Sequence, residues 1–344
     1  MAGDVGERDP RPTPVPSTLV SILAFNSGAT SDRCLRSVLD QLPVGPVRVV
    51  VRDQGTDPDE HARLVEIAAG APHGVVEVLR GENLGYAGGH NATVRNGFGE
   101  LVLVLNADAW LDPGYLSAAV RHFDDPAVGA VQGLVRRADD PTVVDSAGLE
   151  PHRSREVRSR AAGAPVASVA EPAEVWGPDG AVALYRRRAL EDVAVPAGPD
   201  GEVFASAFFA YKEDVDLAWR LRRRRWVTRY DPDAGATHVR GARTTPTTGW
   251  ARWRAGAELS RLADRNGFVN HRLMQVRVEH LRSLLRDLWP WARREAGAWL
   301  RLPLREPFPA WAITGLLRGL PGALRARRQI ARRTLVVDDR RWFV

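Results

Sequence analysis

Short apolar runs alternate with amphipathic stretches along the first part of the chain. Runs rich in Val, Leu and Ile predict buried strands at residues 19–25, 47–51, 75–79, 101–105 and 128–135. Stretches with apolar residues three or four positions apart predict helices at 32–42, 59–69, 91–98 and 113–123. Strands that alternate with helices favour an α/β fold with a parallel sheet.

The pattern is weaker in the middle of the chain. A Gly-rich segment at 85–89 predicts a turn, and strand patterns return at 180–185 and 226–230, the latter leading to His238. The segment at 151–172 is rich in Arg, Ala, Ser and Pro and has no clear period. It is therefore predicted to be a mobile loop, of the kind that closes over substrates.

Beyond residue 251 the pattern becomes helical and basic. Apolar faces occur at two places, namely Val278, Leu281, Leu285 and Leu288 and, later, Leu316, Leu317, Leu320 and Leu324. Arginine together with Trp and Leu is typical of helices that lie on an anionic membrane surface. The alternative is a helical appendage that packs on the rest of the protein.

Length and composition suggest how the chain is divided. With 344 residues and 44% hydrophobic content it can bury one large core and carry a smaller part. Residues 1–17 lack the apolar stretch of a secretory signal and predict a disordered leader, 18–250 form the main domain, and 251–344 are the basic, Trp-containing helical region. Since no apolar run is long enough to span a bilayer, we expect a cytoplasmic protein, peripheral on the inner membrane face.

Charge and cysteine content narrow the function. The formal net charge is +6 and Lys212 is the only lysine, so almost all of the positive charge is guanidinium, which favours phosphate. An arginine-rich nucleic-acid-binding protein is one alternative, but without a recognition helix or single-strand motif we predict no nucleic-acid partner. The single cysteine, Cys34, excludes an internal disulfide and is interpreted as filler in the first helix.

Carboxylates at two places point to chemistry. Glu213, Asp214 and Asp216 stand among aromatic residues, so part of their segment must be buried, and buried carboxylates need a partner or a purpose. The alternative is an acidic surface patch. The strand at 101–105 is followed directly by 106–108, Asn-Ala-Asp, and ligands of open parallel sheets bind at such strand ends.

Five motifs then occur in the order of a known family. They are Asn83-Leu-Gly-Tyr-Ala-Gly-Gly-His-Asn91, Leu105-Asn-Ala-Asp108, Val144-Asp-Ser-Ala-Gly148, Tyr211-Lys-Glu-Asp-Val-Asp-Leu217 with Arg220, and the lone His238. Through them the chain from about 19 to 241 resembles the family 2 inverting glycosyltransferases of GT-A fold, especially bacterial rhamnosyltransferase-like and galactofuranosyltransferase-like members. The resemblance implies a Rossmann-like, mostly parallel sheet flanked by helices, with a C-terminal amphipathic helical extension.

The resemblance also implies roles for particular residues. Asp108 and His238 would bind a metal, with Asn106 in place of the first acid of the family's Asp-X-Asp motif, and a carboxylate plus an imidazole on diphosphate suits Mg²⁺ or Mn²⁺. For His238 the alternative is a core histidine at a strand end. Asp214 corresponds to the base that deprotonates the acceptor, and Glu213 would hold the acceptor or tune Asp214.

Further positions belong to the two substrates. The implied donor-binding residues are Asp53, Asn83, Gly85, Gly88, Gly89, Asn91, Asn106 and Asp108. The first would contact base and ribose, the glycines would let the backbone approach the sugar diphosphate, and the asparagines at 83 and 91 would orient it. On the acceptor side the implied residues are Asp145, Trp176 and Gly180, while Asp216 and Arg220, one helical turn apart, are interpreted as a structural ion pair.

The resulting expectation is a transferase. It would move a sugar such as rhamnose from a dTDP- or UDP-sugar onto a glycan or polyprenyl-linked saccharide in cell-wall or polysaccharide biosynthesis, with the basic tail touching the membrane. Alternatives within reach of the same residues are a transferase with a soluble acceptor and an inactive scaffold that keeps the fold.

Overall fold

The computed structural model describes residues 15–42, 44–95, 97–239, 250–305, 309–335 and 340–344, with the backbone alone at 250–260 and 304–305. Most of the leader predicted at 1–17 therefore lies outside the described residues. The strands are β1 Thr18–Ala24, β2 Val47–Asp53, β3 Val76–Arg80, β4 Leu101–Asn106, β5 Ala109–Leu111, β6 Val128–Arg137, β7 Val144–Ser146, β8 Leu149–Pro151, β9 Val157–Ser159, β10 Ala173–Val175, β11 Val182–Arg186 and β12 Val227–His238. The helices are α1 Ala29–Leu39, α2 Pro58–Ala69, α3 Gly85–Val94, α4 Tyr115–Val120, α5 Arg187–Val193, α6 Glu213–Arg223, α7 Trp250–Val278, α8 Leu281–Arg286, α9 Leu288–Arg305 and α10 Ala310–Arg333.

The central sheet has the strand order β10-β12-β6-β11-β4-β1-β2-β3. Strands β1, β2, β3 and β4 are parallel to one another, and β6 is parallel to β12. Strand β11 runs antiparallel between β4 and β6, so those two strands point the same way. The expected mostly parallel sheet flanked by helices is confirmed. Its β4 strand is apolar at five consecutive buried positions because both of its faces are covered.

Two predicted segments differ from the structure. The Gly-rich turn at 85–89 is instead the first half of helix α3, which begins at Gly85 rather than at Asn91. The mobile loop predicted at 151–172 is wrong, since this segment contains strand β9, which pairs with β8, and a fully buried Arg155. The Arg155 guanidinium pairs with Glu279 and Asp287 of the C-terminal region, which ties the segment down.

The C-terminal helices pack on the main domain. Leu273, Met274 and Val278 of α7 share a hydrophobic cluster with Trp176 and Trp219. The apolar face predicted to unite Val278 with Leu281 and later leucines is divided, because α7 ends at 278 and Leu281 is exposed. Within the described ranges no helix is long and apolar enough to cross a membrane.

Candidate active site

The carboxyl ends of the parallel strands meet at one edge of the sheet. Ala24, Asp53 and Asn106 end β1, β2 and β4, and strand pairing places them in nearly the same register. The Asn106 N–H donates to the Ala181 carbonyl at 2.9 Å, which brings the segment before β11 to the same edge. Residues far apart in the sequence thus converge here, as the resemblance implied.

Asp108 and His238 lie together at this edge. Asp108 follows β4, His238 ends β12, and Asp108 Oδ1 is 3.2 Å from His238 Nε2. On the other side of the ring, His238 Nδ1 is 2.9 Å from Asp145 Oδ2. Burial favours the neutral imidazole, but hydrogen bonds with Asp108 and Asp145 outweigh it and raise the pKa of His238 to about 10.

The Asp108–His238 pair fits one divalent cation. Two adjacent ligands of an octahedral ion with bonds of about 2.1 Å lie about 3 Å apart, close to the observed separation. Among the described residues no three His, Cys, Asp or Glu side chains converge on a metal position. A cation here would therefore take its other ligands from diphosphate oxygens and water.

Asp145 has a different place from the one expected. It was predicted on the acceptor side, but its carboxylate is buried behind the His238 ring. A carboxylate in that position orients the imidazole and fixes which ring nitrogen carries the proton. The predicted acceptor contact of Asp145 does not fit this geometry.

The acid pair begins helix α6 at the same edge. Asp214 Oδ2 accepts a hydrogen bond from the Gly180 N–H at 3.3 Å, and the Gly180 carbonyl accepts one from the Tyr86 hydroxyl at 2.6 Å. Gly180 directly precedes Ala181, the partner of Asn106. The proposed base and the proposed metal site are thus joined through 180–181.

Both carboxyl groups of the pair hold their protons more strongly than usual. Burial raises the pKa of Asp214, and the nearby Asp179 carboxylate raises it further. Burial and the neighbouring Asp214 raise the pKa of Glu213 well above its ordinary value. Two acids in one low-dielectric site are typical of a place where protons are transferred.

Asp216 has the structural role that was predicted. Its buried carboxylate is 2.8 Å from Arg220 Nε, one turn along α6, and 2.8 Å from Arg277 Nε on α7. The two guanidinium groups lower the pKa of Asp216 despite its burial, so it stays ionised. This ion pair fixes the start of α6 rather than facing a substrate.

Two residues predicted to bind the donor use their side chains for hydrogen bonds within the protein. Asp53 has no exposed surface and accepts hydrogen bonds from the Gly55 and Thr56 N–H groups, so its contact with a nucleotide stays a prediction. The Asn91 amide uses both N–H groups and both lone pairs on the 203–206 segment, leaving none for a diphosphate. Asn91 is therefore a structural link, and its predicted role is wrong.

The glycines of α3 make room for protein neighbours. A Cβ at Gly85, whose φ is +67°, would lie 2.4 Å from the Phe209 carbonyl oxygen. One at Gly88 or Gly89 would meet Leu84 or Leu23. The exposed Asn83 accepts a hydrogen bond from the Gly85 N–H at the start of the helix. Contact of these residues with the sugar diphosphate stays a prediction.

Trp176 lies in the core and does not line a pocket. Only 2% of it is exposed, and its ring packs edge-on against Trp219 with centroids 5.6 Å apart. The acceptor wall predicted for it is therefore wrong. The exposed aromatic surface beside the acid pair comes instead from Phe209 and Tyr211, which sequence reasoning treated as flanking residues that are partly buried.

Gly180 offers a test of the link between donor helix and base. A Cβ there would lie 3.0 Å from Tyr86 Oη and 3.2 Å from Asp214 Cβ. We expect Gly180→Ala to displace Asp214 and lower kcat about 10- to 100-fold with little change in donor KM. Gly81→Ala is the control, because a Cβ at Gly81 meets nothing within 4 Å. Equal kcat values for both variants would show that this position of Asp214 is not required.

Comparisons with known proteins identify the family of the chain. Residues 16–257 match the model of glycosyltransferase like family 2. An uncharacterized protein of Mycobacterium tuberculosis is 35% identical over 147 residues, covering 42% of this chain and 44% of the relative. A protein named N-acetylglucosaminyltransferase from Bradyrhizobium elkanii is 31% identical over 121 residues, covering 35% and 66%. Each match spans less than two thirds of the relative.

A solved structure supports the fold. GalNAc-T7 with UDP, GalNAc and Mn²⁺ aligns with a TM-score of 0.53 at 13% identity, covering 79% of this chain and 54% of that one. The mostly parallel sheet with its flanking helices is the fold of GT-A glycosyltransferases. Within that class, the chain belongs to glycosyltransferase like family 2, whose model spans more than half of it.

Proposed function

We propose that this chain transfers a sugar from a nucleoside diphosphate donor to an acceptor hydroxyl, with inversion at the anomeric carbon. The observation that carries the proposal is the convergence of the Asp108–His238 pair and the buried base Asp214 at one sheet edge, joined through Gly180. A leaving diphosphate and an attacking hydroxyl need these two kinds of group on opposite sides of one carbon.

In the proposed reaction Asp214 accepts the proton of the acceptor hydroxyl. The oxygen then forms its bond to the anomeric carbon as the bond to the diphosphate oxygen breaks, and the nucleoside diphosphate leaves. Mg²⁺ or Mn²⁺, held by Asp108 and His238, would supply positive charge for the leaving group. Asp145 would keep His238 Nδ1 protonated, and a cation bound at Nε2 would displace the proton that the imidazole shares with Asp108.

The donor is proposed to be a dTDP- or UDP-sugar, and the acceptor a glycan or polyprenyl-linked saccharide. Rhamnose follows from the motif resemblance, whereas relatives named N-acetylglucosaminyltransferase favour a UDP-sugar. Calorimetric titration of UDP and dTDP, each with and without Mn²⁺, tests the donor site. We expect one of the two nucleotides to bind and its binding to require Mn²⁺. If neither nucleotide bound, the proposal would be overturned.

We further propose that α10 holds the enzyme on an anionic lipid surface. The residues Ile313, Leu317, Leu320 and Leu324 form a stripe along this helix and are all exposed. The helix faces α7 with another set of residues that includes Ala312, Leu316 and Ala323. It carries six arginines and no acidic residue, a charge that complements anionic headgroups.

Vesicle binding tests the membrane contact. We expect the protein to sediment with phosphatidylglycerol vesicles at low salt, and Leu317→Ser to weaken that binding about tenfold because less apolar surface is buried. Val65→Ser is the matched control, since Val65 is an exposed residue of α2, outside α10. Equal binding by wild type and Leu317→Ser would place the contact elsewhere or nowhere.

A further inference from the structure

We propose that Asn270 of α7 is a positioning residue for the acid pair Glu213–Asp214. Its side-chain amide holds the segment 208–212 in the conformation that presents both carboxyl groups at the sheet edge. The assignment of a catalytic role to the pair rests on the proposed function. The hold of Asn270 on the segment does not, and it can be tested separately.

The segment before α6 has an unusual backbone. Phe209, Tyr211 and Lys212 have φ values of 60°, 77° and 78°, a region that side chains other than glycine rarely adopt. Such residues persist only where the surroundings hold them, and they concentrate at functional sites. Lys212 is the residue directly before α6, at its N-cap, so its conformation sets the direction in which Glu213 and Asp214 leave the segment.

The side-chain amide of Asn270 stabilises this backbone conformation. Its Nδ2 is 2.8, 3.0 and 3.0 Å from the carbonyl oxygens of Phe208, Ala210 and Tyr211, so its two N–H groups serve three acceptors and one N–H is shared. Three carbonyl dipoles that point at one spot repel one another unless a donor lies between them, and Asn270 is 4% exposed, so water does not replace its amide freely. The positive φ angles and the amide therefore depend on each other.

The same face of α7 also contacts α6. Leu273 and Met274 follow Asn270 by one turn and pack in the cluster that contains Phe208 and Val215. One turn further, Arg277 pairs with Asp216 in the first turn of α6. The helix thus contacts the acid pair's segment on both sides, through an amide before the pair and a guanidinium after it.

Helix α3 packs against the segment 208–212 on the side opposite α7. The Ala87 N–H donates to the Phe209 carbonyl at 3.2 Å. The helix lies so close to that carbonyl that a Cβ at Gly85 would collide with it. The segment is therefore clamped between the proposed donor-binding helix and the C-terminal region. Removal of the Asn270 amide frees one side of this clamp, and the non-glycine residues can then relax toward negative φ.

Hydrogen exchange and kinetics of Asn270→Ala test the inference. We expect amides of 209–214 to exchange at least about tenfold faster than in wild type, because a group of buried hydrogen bonds is lost. With UDP-N-acetylglucosamine or dTDP-rhamnose as donor, kcat should fall about 10- to 100-fold while donor KM stays within a few-fold. Gln275→Ala is the matched control, since it removes two side-chain hydrogen bonds of α7, to His271 and Trp291, and neither partner belongs to this segment.

A second substitution separates positioning from general stability. Glycine adopts positive φ without strain, so Asn270→Ala should cost much less kcat in a Tyr211→Gly background than in wild type. Equal losses in the two backgrounds, or unchanged exchange at 209–214 in Asn270→Ala, would overturn the inference. A wild type that turns over neither donor would count against the proposed function alone, and the exchange result would still decide the role of Asn270.

Discussion

Asp214→Asn is expected to lower kcat about 10²- to 10⁴-fold, the usual contribution of a general base. The amide keeps the size of the carboxylate and its oxygen can still accept from the Gly180 N–H, although its nitrogen cannot replace the oxygen that accepts from the Val215 N–H. Nucleotide binding should stay close to wild type, because Asp214 lies on the acceptor side of the proposed reaction. Steady-state turnover and calorimetric nucleotide binding measured on the same preparation check both statements.

The pH dependence of the wild type gives the control for this substitution. A base works only when it is deprotonated, and burial raises the pKa of Asp214. As the pH is lowered, kcat/KM should therefore begin to fall at a higher pH than an ordinary Asp would give. The residual activity of Asp214→Asn should lack that acidic limb. Near-wild-type turnover by Asp214→Asn would remove Asp214 from the role of base and direct attention to Glu213.

Asp108→Ala is expected to abolish the Mn²⁺-dependent part of nucleotide binding, a loss of more than about 100-fold. Even residues that only support a metal ligand contribute about 10- to 100-fold, and Asp108 is one of the two protein ligands proposed for the cation. Calorimetry with UDP or dTDP, with and without Mn²⁺, measures the effect. The metal-independent affinity should change little.

Asp139→Ala is the matched control for the metal site. Asp139 is an exposed acid just after β6, and its carboxylate pairs with the Arg137 guanidinium. It should keep full Mn²⁺ dependence. If Asp108→Ala also kept it, the cation would be held elsewhere and the pairing of Asp108 with His238 would be a structural contact.

The sequence predicts the sheet well because its signals are local. An apolar run such as 101–105 has to be covered on both faces, and its place between helices makes it a parallel strand, as observed in β4. The start of α3 was missed because three glycines at 85–89 disfavour a helix in isolation. Contacts with Phe209 and Leu23, which only small residues permit, override that preference.

Side-chain roles were harder to predict because they depend on partners distant in the chain. Asn91 stands inside a motif, yet its amide bonds to the 203–206 segment, and Trp176, assigned to the acceptor side, packs against Trp219. Asp145 was assigned to the acceptor, whereas it lies behind His238, 93 residues away. No local pattern shows which way such a side chain turns.

In the C-terminal region the sequence predicts the helices but not one of their main contacts. Its helices were expected, and so was the possibility that they pack on the main domain. The contact of Asn270 with 208–211 was not, although Asn270, Leu273, Met274 and Arg277 recur at helical spacing and indicate one buried face. That spacing was the available signal.

The position of Lys212 gives the protein a natural chemical handle. It carries the only lysine amine in the sequence and stands immediately before Glu213, at the start of α6. Cys34, the only thiol, is fully buried. Amine-reactive probes therefore have one side-chain target in the chain, and a fluorophore or spin label attached there would report on the acid pair in the unmutated protein.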